Sequence, residues 1–314
     1  MPQLRRTVRF VAAVLLPCGL TTRLPAQAVT PASLEGRAVS APDTIVVRRV
    51  GALELRSELR VPTTRGPHPV VIIIHGGCWV TKFADTRYMR PMAEALRQAG
   101  FATYNIAYRR ADQDGGAWPG TFLDVEAAAA SLRDLAPRYA LDLSRVIASG
   151  HSAGAHLALW LAAQPKVPSS SAIHAQSRPL PIRGVVALDG PGDLLPANQG
   201  ITRICGEPVL EQLLASAPVE NADRWRESSP ATLLPLGVPQ VMVRGGLDTR
   251  MATFGPREGT MTSYLERARA AGDSAWAVEA DLTSHFAMLD PENAAFAPLL
   301  KAMRDVLAML PGRR

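Results

Sequence analysis

Apolar residues first recur in the chain with a meaning for fold at Val70-Val71-Ile72-Ile73-Ile74, five β-branched residues in a row. A run of that kind predicts a strand buried on both faces, as in a parallel sheet. Before it, Thr44 to Val50 and Ala52 to Val61 alternate roughly, as an antiparallel edge pair would, and a Pro/Gly cluster over 62–69 separates them from the buried run. After it, helical and strand periods take turns. Helices are predicted over 88–98 (ended at Gly100), 122–136 (stopped by Pro137), 153–163, 258–271 and 294–310. Strands are predicted over 101–108, 145–149, 184–188, 240–244 and 274–280. This order specifies an α/β fold with a mostly parallel central sheet and helices on both faces.

Two stretches break the alternation. Residues 165–181 are Pro/Ser rich and read as a surface loop. Residues 191–235 lie between two sheet strands and are too long for a simple connection, so they are read as a small cap over the site. Residues 29–43 are rich in Pro, Ala and Ser without an apolar period and read as a flexible N-terminal tail ahead of a domain spanning 44–314.

The first 28 residues carry Arg5, Arg6 and Arg9, then an apolar run from Phe10 to Leu16, then Ala26-Gln27-Ala28. That is the layout of an export signal, which places the mature protein in the periplasm or outside the cell. The apolar run is shorter than the roughly 20 residues of a membrane-spanning helix. The net charge of +6 shrinks to +2 without this segment (30 basic against 28 acidic residues), and no dense basic patch remains to suggest nucleic acid. Cys78 and Cys205 remain of three cysteines; export permits a disulfide between them, and spacing alone leaves open whether they pair. The oligomeric state is equally open.

The candidate chemistry lies in Gly150-His151-Ser152-Ala153-Gly154. The pentapeptide follows a short apolar strand and opens a helix, the setting that a nucleophile elbow requires. A serine hydroxyl attacks only when a base takes its proton. In chain order the base comes last, and His285 alone among the histidines lies beyond every candidate acid, just after the strand over 274–280. The acid is expected at Asp248, in the turn Gly245-Gly246-Leu247-Asp248 at the end of the strand over 240–244. Asp189, Asp193 and Asp281 are the other acids in range, with Asp281 better suited to capping its own loop. His75-Gly76-Gly77-Cys78-Trp79 directly follows the buried strand, and its glycines let backbone amides turn toward a substrate oxygen. The amides of Gly77, Cys78 and Ala153 are the expected oxyanion donors. No metal-ligand spacing and no phosphate loop occurs, so no cofactor is expected.

His75-Gly76-Gly77-Cys78-Trp79 together with Gly150-His151-Ser152-Ala153-Gly154-Ala155-His156-Leu157 resembles kynurenine formamidase and its bacterial esterase relatives in the α/β-hydrolase superfamily, and Ser284-His285-Phe286 resembles that group's C-terminal His-Phe pair. The resemblance spans about residues 44–310. It implies an α/β-hydrolase fold and hydrolysis of carboxylic esters or of an aryl formamide by Ser152, Asp248 and His285. Cys78 stands where relatives often carry a bulky residue, and export departs from the intracellular formamidases, which favours carboxylic esters. Arylformamide hydrolysis is the alternative, with a peptidase and a non-catalytic binding protein behind it.

Overall fold

In the computed structural model, which describes residues 28–176 and 178–310, the β-branched run becomes the middle of an eight-stranded sheet. The strands are β1 (Thr44–Val50), β2 (Leu53–Arg60), β3 (His68–Ile74), β4 (Ala102–Ile106), β5 (Leu141–His151), β6 (Gly184–Leu188), β7 (Gln240–Gly245) and β8 (Ala275–Asp281). Their spatial order is β1-β2-β4-β3-β5-β6-β7-β8. β2 runs antiparallel to both its neighbours, and every pairing from β4 to β8 is parallel. The architecture is an α/β-hydrolase fold.

The period of two along β3 divides the interior. Val70, Ile72 and Ile74 pack into one core and Val71 and Ile73 into the other, all without exposed surface. The helices are α1 (Pro31–Glu35), α2 (Arg90–Gln98), α3 (Ala117–Ala130), α4 (Leu132–Tyr139), α5 (Ala153–Ala163), α6 (Leu194–Cys205), α7 (Val209–Leu214), α8 (Ala222–Ser228), α9 (Gly246–Phe254), α10 (Met261–Ala270) and α11 (Phe296–Met309). α2 and α11 cover the Val71 face through Met92, Leu96, Leu299 and Met303; α3, α5 and α10 cover the other through Phe122, Trp160 and Tyr264. α5 is buried along its whole length, which is why its sequence is apolar all round.

Three local outcomes differ from the sequence reading. The segment 29–43 is not wholly a flexible tail. Thr30 and Ser33 form a reciprocal capping box around Pro31, and the fully buried Leu34 packs into the same core as Tyr88 and Met92. The helix expected over 122–136 is two helices, with Pro137 carried inside the second. The stretch after β7, read as a turn, starts α9 at Gly246. The cap segment 191–235 folds into α6, α7 and α8. The export signal over 1–28 lies outside the described residues apart from Ala28. Among the described residues, no helix is long and apolar enough to cross a membrane.

Candidate active site

The end of β5 delivers Ser152 on a turn that few residues tolerate. Its φ is 57° and its ψ is −119°, in the left-handed half of conformational space. The turn survives because its flanks lack side chains: a Cβ on Gly150 would lie 2.1 Å from the Gly154 carbonyl oxygen, and one on Gly154 2.1 Å from that of Ile74. The Ser152 amide donates to the Leu188 carbonyl at 2.8 Å, tying the turn to the end of β6. α5 starts at the next residue, so its N-terminal end faces the same space as the serine.

The HGGCW segment leaves β3 beside this turn. Gly77 has φ 107°, and Cys78 and Trp79 also lie at positive φ, 49° and 56°. Gly76 has no room for a side chain, since a Cβ there would sit 2.6 Å from the His151 carbonyl oxygen. Among the described residues, the amides of Gly77, Cys78 and Ala153 donate to no protein acceptor, and all three residues line one cavity with Ser152 and His285. Free amides converging beside a serine are donors without an acceptor, which is what a developing oxyanion needs.

His285 follows β8 after a three-residue loop whose first turn Asp281 stabilises by accepting from the amide and hydroxyl of Thr283. Its Nδ1–H donates to Asp189 Oδ2 at 2.7 Å, leaving Nε2 as the basic nitrogen. The carboxylate beside His285 is thus that of Asp189, and not that of the expected Asp248. Asp189, at the end of β6, is fully buried and takes three more bonds, from the amides of Gly245, Leu247 and Asp248 at 2.8–3.0 Å. Asp248 contributes that amide, but its carboxylate turns away from His285. Oδ1 accepts from the Met261 amide at 2.9 Å, and Oδ2 lies 3.8 Å from Arg244 Nε. Burial pushes the Asp248 carboxyl up, partly opposed by the Met261 amide and Arg244. The physical reason is α9: by starting at Gly246 it wraps its first amides around Asp189 and points the Asp248 side chain toward the start of α10. Asp193 pairs with Arg267 and accepts from Ser229 at the base of the cap.

Behind these groups runs a chain of buried hydrogen bonds. The Gly76 amide donates to Tyr88 Oη at 2.6 Å. Tyr88 Oη lies 3.0 Å from His151 Nδ1, and His151 Nε2 lies 2.8 Å from the His285 carbonyl oxygen. Since a carbonyl can only accept, Nε2 carries the His151 proton and Nδ1 accepts from Tyr88. Burial holds the His151 imidazole well below its ordinary value, so it stays neutral. The rings of His151 and His285 lie 4.2 Å apart. Tyr88 has no motif around it, and only the helix position of residue 88 could have hinted at its place.

The cavity measures about 310 Å³. Apart from Ser152, His151, His285 and Arg250 its walls are mostly apolar: Trp79 and Phe83 after β3, Phe286 after β8, Ile201, Ile204 and Cys205 from α6, and Pro31 from α1. Cys78 and Cys205 form a disulfide with a Cα separation of 6.2 Å. The pairing that spacing left open is made, and it joins the amide-bearing segment to the last residue of α6. Among the described residues, no group of His, Cys, Asp and Glu side chains is arranged to hold a metal.

The BD-FAE family model matches residues 59–253, more than half of the chain, from the end of β2 through the elbow into α9. The chain belongs to the BD-FAE family. Several solved structures share the fold of this BD-FAE member. The apo form of Thermogutta terrifontis esterase 2 superposes with a TM-score of 0.66 at 20% identity, covering 86% of this chain and 96% of that one. A truncated carbohydrate esterase from gut microbiota gives 0.66 at 21% identity, covering 81% and 91%. A bifunctional GH43-CE protein of Bacteroides eggerthii gives 0.64 at 21%, covering 82% of this chain and 36% of that one. Among curated proteins, the non-reducing polyketide synthase mapC' of Penicillium brevicompactum is 31% identical over 131 residues, which is 38% of this chain and 6% of the synthase. The chain thus spans a small fraction of that relative's length.

Proposed function

We propose that this protein is a serine hydrolase that cleaves carboxylic esters through an acyl-enzyme. The observation that carries the reading is His285 held by Asp189 at Nδ1 while its ring lines the same cavity as Ser152 and three unengaged amides. In the first step His285 Nε2 takes the Ser152 hydroxyl proton as Oγ attacks the ester carbonyl. The oxyanion settles on the amides of Gly77, Cys78 and Ala153. The imidazolium, stabilised by Asp189, then gives its proton to the departing alkoxide, and the alcohol leaves. Water, deprotonated by the same imidazole, attacks the acyl-enzyme; the proton returns to Ser152 and the acid is released.

In the structure described here no hydrogen bond joins Ser152 Oγ to the imidazole. The contact is assigned to the substrate complex, in which such bonds tighten. The aromatic walls of Phe83, Phe286 and Trp79 favour aryl-bearing substrates and give one specific reason to include an aryl formamide beside aryl esters. We also propose that the enzyme works outside the cytoplasm, since the Cys78–Cys205 disulfide suits an oxidising compartment.

Hydrolysis of p-nitrophenyl acetate and butyrate by the protein and by Ser152→Ala tests the reading. Activity present in the parent and lost in the variant is the expected result. Equal rates in both would discard Ser152 as nucleophile. N-formylkynurenine turned over far faster than either ester would move the reading to amide hydrolysis.

A further inference from the structure

One guanidinium lines the cavity: Arg250, on the second turn of α9. It is exposed, and among the described residues it has no hydrogen bond and no ion pair. The acids that could neutralise it are engaged elsewhere. Asp248, two residues earlier, is turned to Met261 and Arg244, and Asp281 to Thr283. Lys82, next in sequence to the lining Phe83, is neutralised by Glu207. The cavity therefore presents mostly apolar walls, a set of unengaged amides beside Ser152, and a single unpaired guanidinium that is itself exposed to solvent. No carboxylate lines it.

A guanidinium presents a planar fork of donors that matches a carboxylate, and an apolar surround strengthens their pairing. We propose that the substrates are esters of amphiphilic acids or alcohols that carry a second, free carboxylate, with the ester carbonyl over Ser152, the apolar body along Phe83 and Ile204, and the carboxylate on Arg250. The proposal rests on the ester-hydrolase reading and adds to it the class of substrate. Arg250 would be a specificity residue, touching the substrate away from the reacting atoms.

The test uses matched pairs: monomethyl and dimethyl esters of succinate, glutarate, adipate and suberate, with methanol release as the readout for the parent, Arg250→Gln and Arg250→Lys. In the parent, kcat/KM for the monoester should exceed that for the diester at one chain length by about two- to fivefold, the scale of an ion pair at a solvent-exposed rim. Arg250→Gln should remove that ratio, Arg250→Lys should restore part of it, and added salt should erode it in the parent. A monoester-to-diester ratio that Arg250→Gln leaves unchanged at every length overturns the proposal while leaving the esterase reading in place. Calorimetric binding of monomethyl glutarate and monomethyl adipate to Ser152→Ala, with and without Arg250→Gln, separates the two claims. Arg250-dependent binding without turnover of any ester by the parent would retain the carboxylate site and discard the esterase reading. Neither binding nor turnover would discard both.

Discussion

Replacing Asp189 by Asn leaves the shape of the site almost untouched and inverts one hydrogen-bonding role. The carboxylate accepts four bonds: from the amides of Gly245 and Asp248 on Oδ1, and from the Leu247 amide and His285 Nδ1 on Oδ2. An amide side chain has one accepting oxygen, so its NH₂ group must face two of these donors. If it faces Leu247 and His285, the imidazole keeps its proton off Nδ1 and puts it on Nε2, where it can no longer take the serine proton. The analogous substitution in a serine protease lowers kcat about 10⁴-fold through this tautomer effect, roughly 5 kcal/mol of transition-state stabilisation. If it faces Gly245 and Asp248 instead, two buried donors lose their acceptor, at a folding cost of about 1–3 kcal/mol for such a loss. We therefore expect Asp189→Asn to lower kcat on p-nitrophenyl butyrate by about three to four orders of magnitude, with KM little changed and the urea midpoint lowered. Asp248→Asn keeps an oxygen for the Met261 amide and should cost only a few-fold in kcat. Steady-state kinetics of both variants, with folding checked by near-ultraviolet circular dichroism, decide the matter. A folded Asp248→Asn that is the crippled variant, beside a mildly affected Asp189→Asn, would refute the assignment of Asp189.

Other outcomes follow from the same geometry. Tyr88→Phe strips a partner from both the Gly76 amide and His151 Nδ1. It should cost about 1–3 kcal/mol of stability and lower kcat more than it raises KM, measured by urea unfolding and ester kinetics. The Cys78–Cys205 bond spans 127 positions, for which loop entropy gives about 5 kcal/mol and engineered cases commonly less. Cys78→Ser with Cys205→Ser should lower the urea midpoint and activity together, and a reductant should then have no further effect on the double variant. His75 and His156 are buried and held at about 4 by desolvation, below the ordinary 6.5. Between pH 6.5 and about 4 the unfolded chain therefore binds protons that the folded one refuses. Stability should fall with falling pH across that window, and His156→Gln should flatten the slope in urea titrations at pH 7, 6 and 5.

The elements of the sheet were readable because their signals are local. β3 announces itself by five β-branched residues, and the elbow by a strand, two glycines and a helix within residues 145–163. The placement of His285 beside the elbow serine was readable from chain order. Its carboxylate partner was not. Asp189 and Asp248 both follow parallel strands and both precede His285, so order along the chain cannot separate them. What separates them is the start of α9, which places three amides on Asp189 and swings Asp248 toward α10. One trace of this lay in Asp189-Gly190-Pro191-Gly192: Asp189 sits at φ 46°, and a Cβ on Gly190 would lie 2.0 Å from the Ser152 carbonyl oxygen. Residues after β6 are thus pressed against the elbow. The short α1 escaped notice because one buried side chain, Leu34, makes no period, although Thr30-Pro31-Ala32-Ser33 carries the marks of a capped helix start. Tyr88 and Arg250 reach the site from elsewhere in the fold, and nothing next to either in the chain signals it.

The bond from Cys78 to Cys205 also bears on traffic through the enzyme. Many hydrolases admit substrate by swinging a cap aside, and their turnover can then be limited by that motion. Here the last residue of α6 is bonded covalently to the segment that supplies the amides, so the wall of Ile201, Ile204 and Cys205 cannot lift without dragging that segment with it. Entry and exit are therefore expected to leave that wall in place. The largest ester accepted is then set by a fixed opening, and release of the acid should show no lag characteristic of a closing gate.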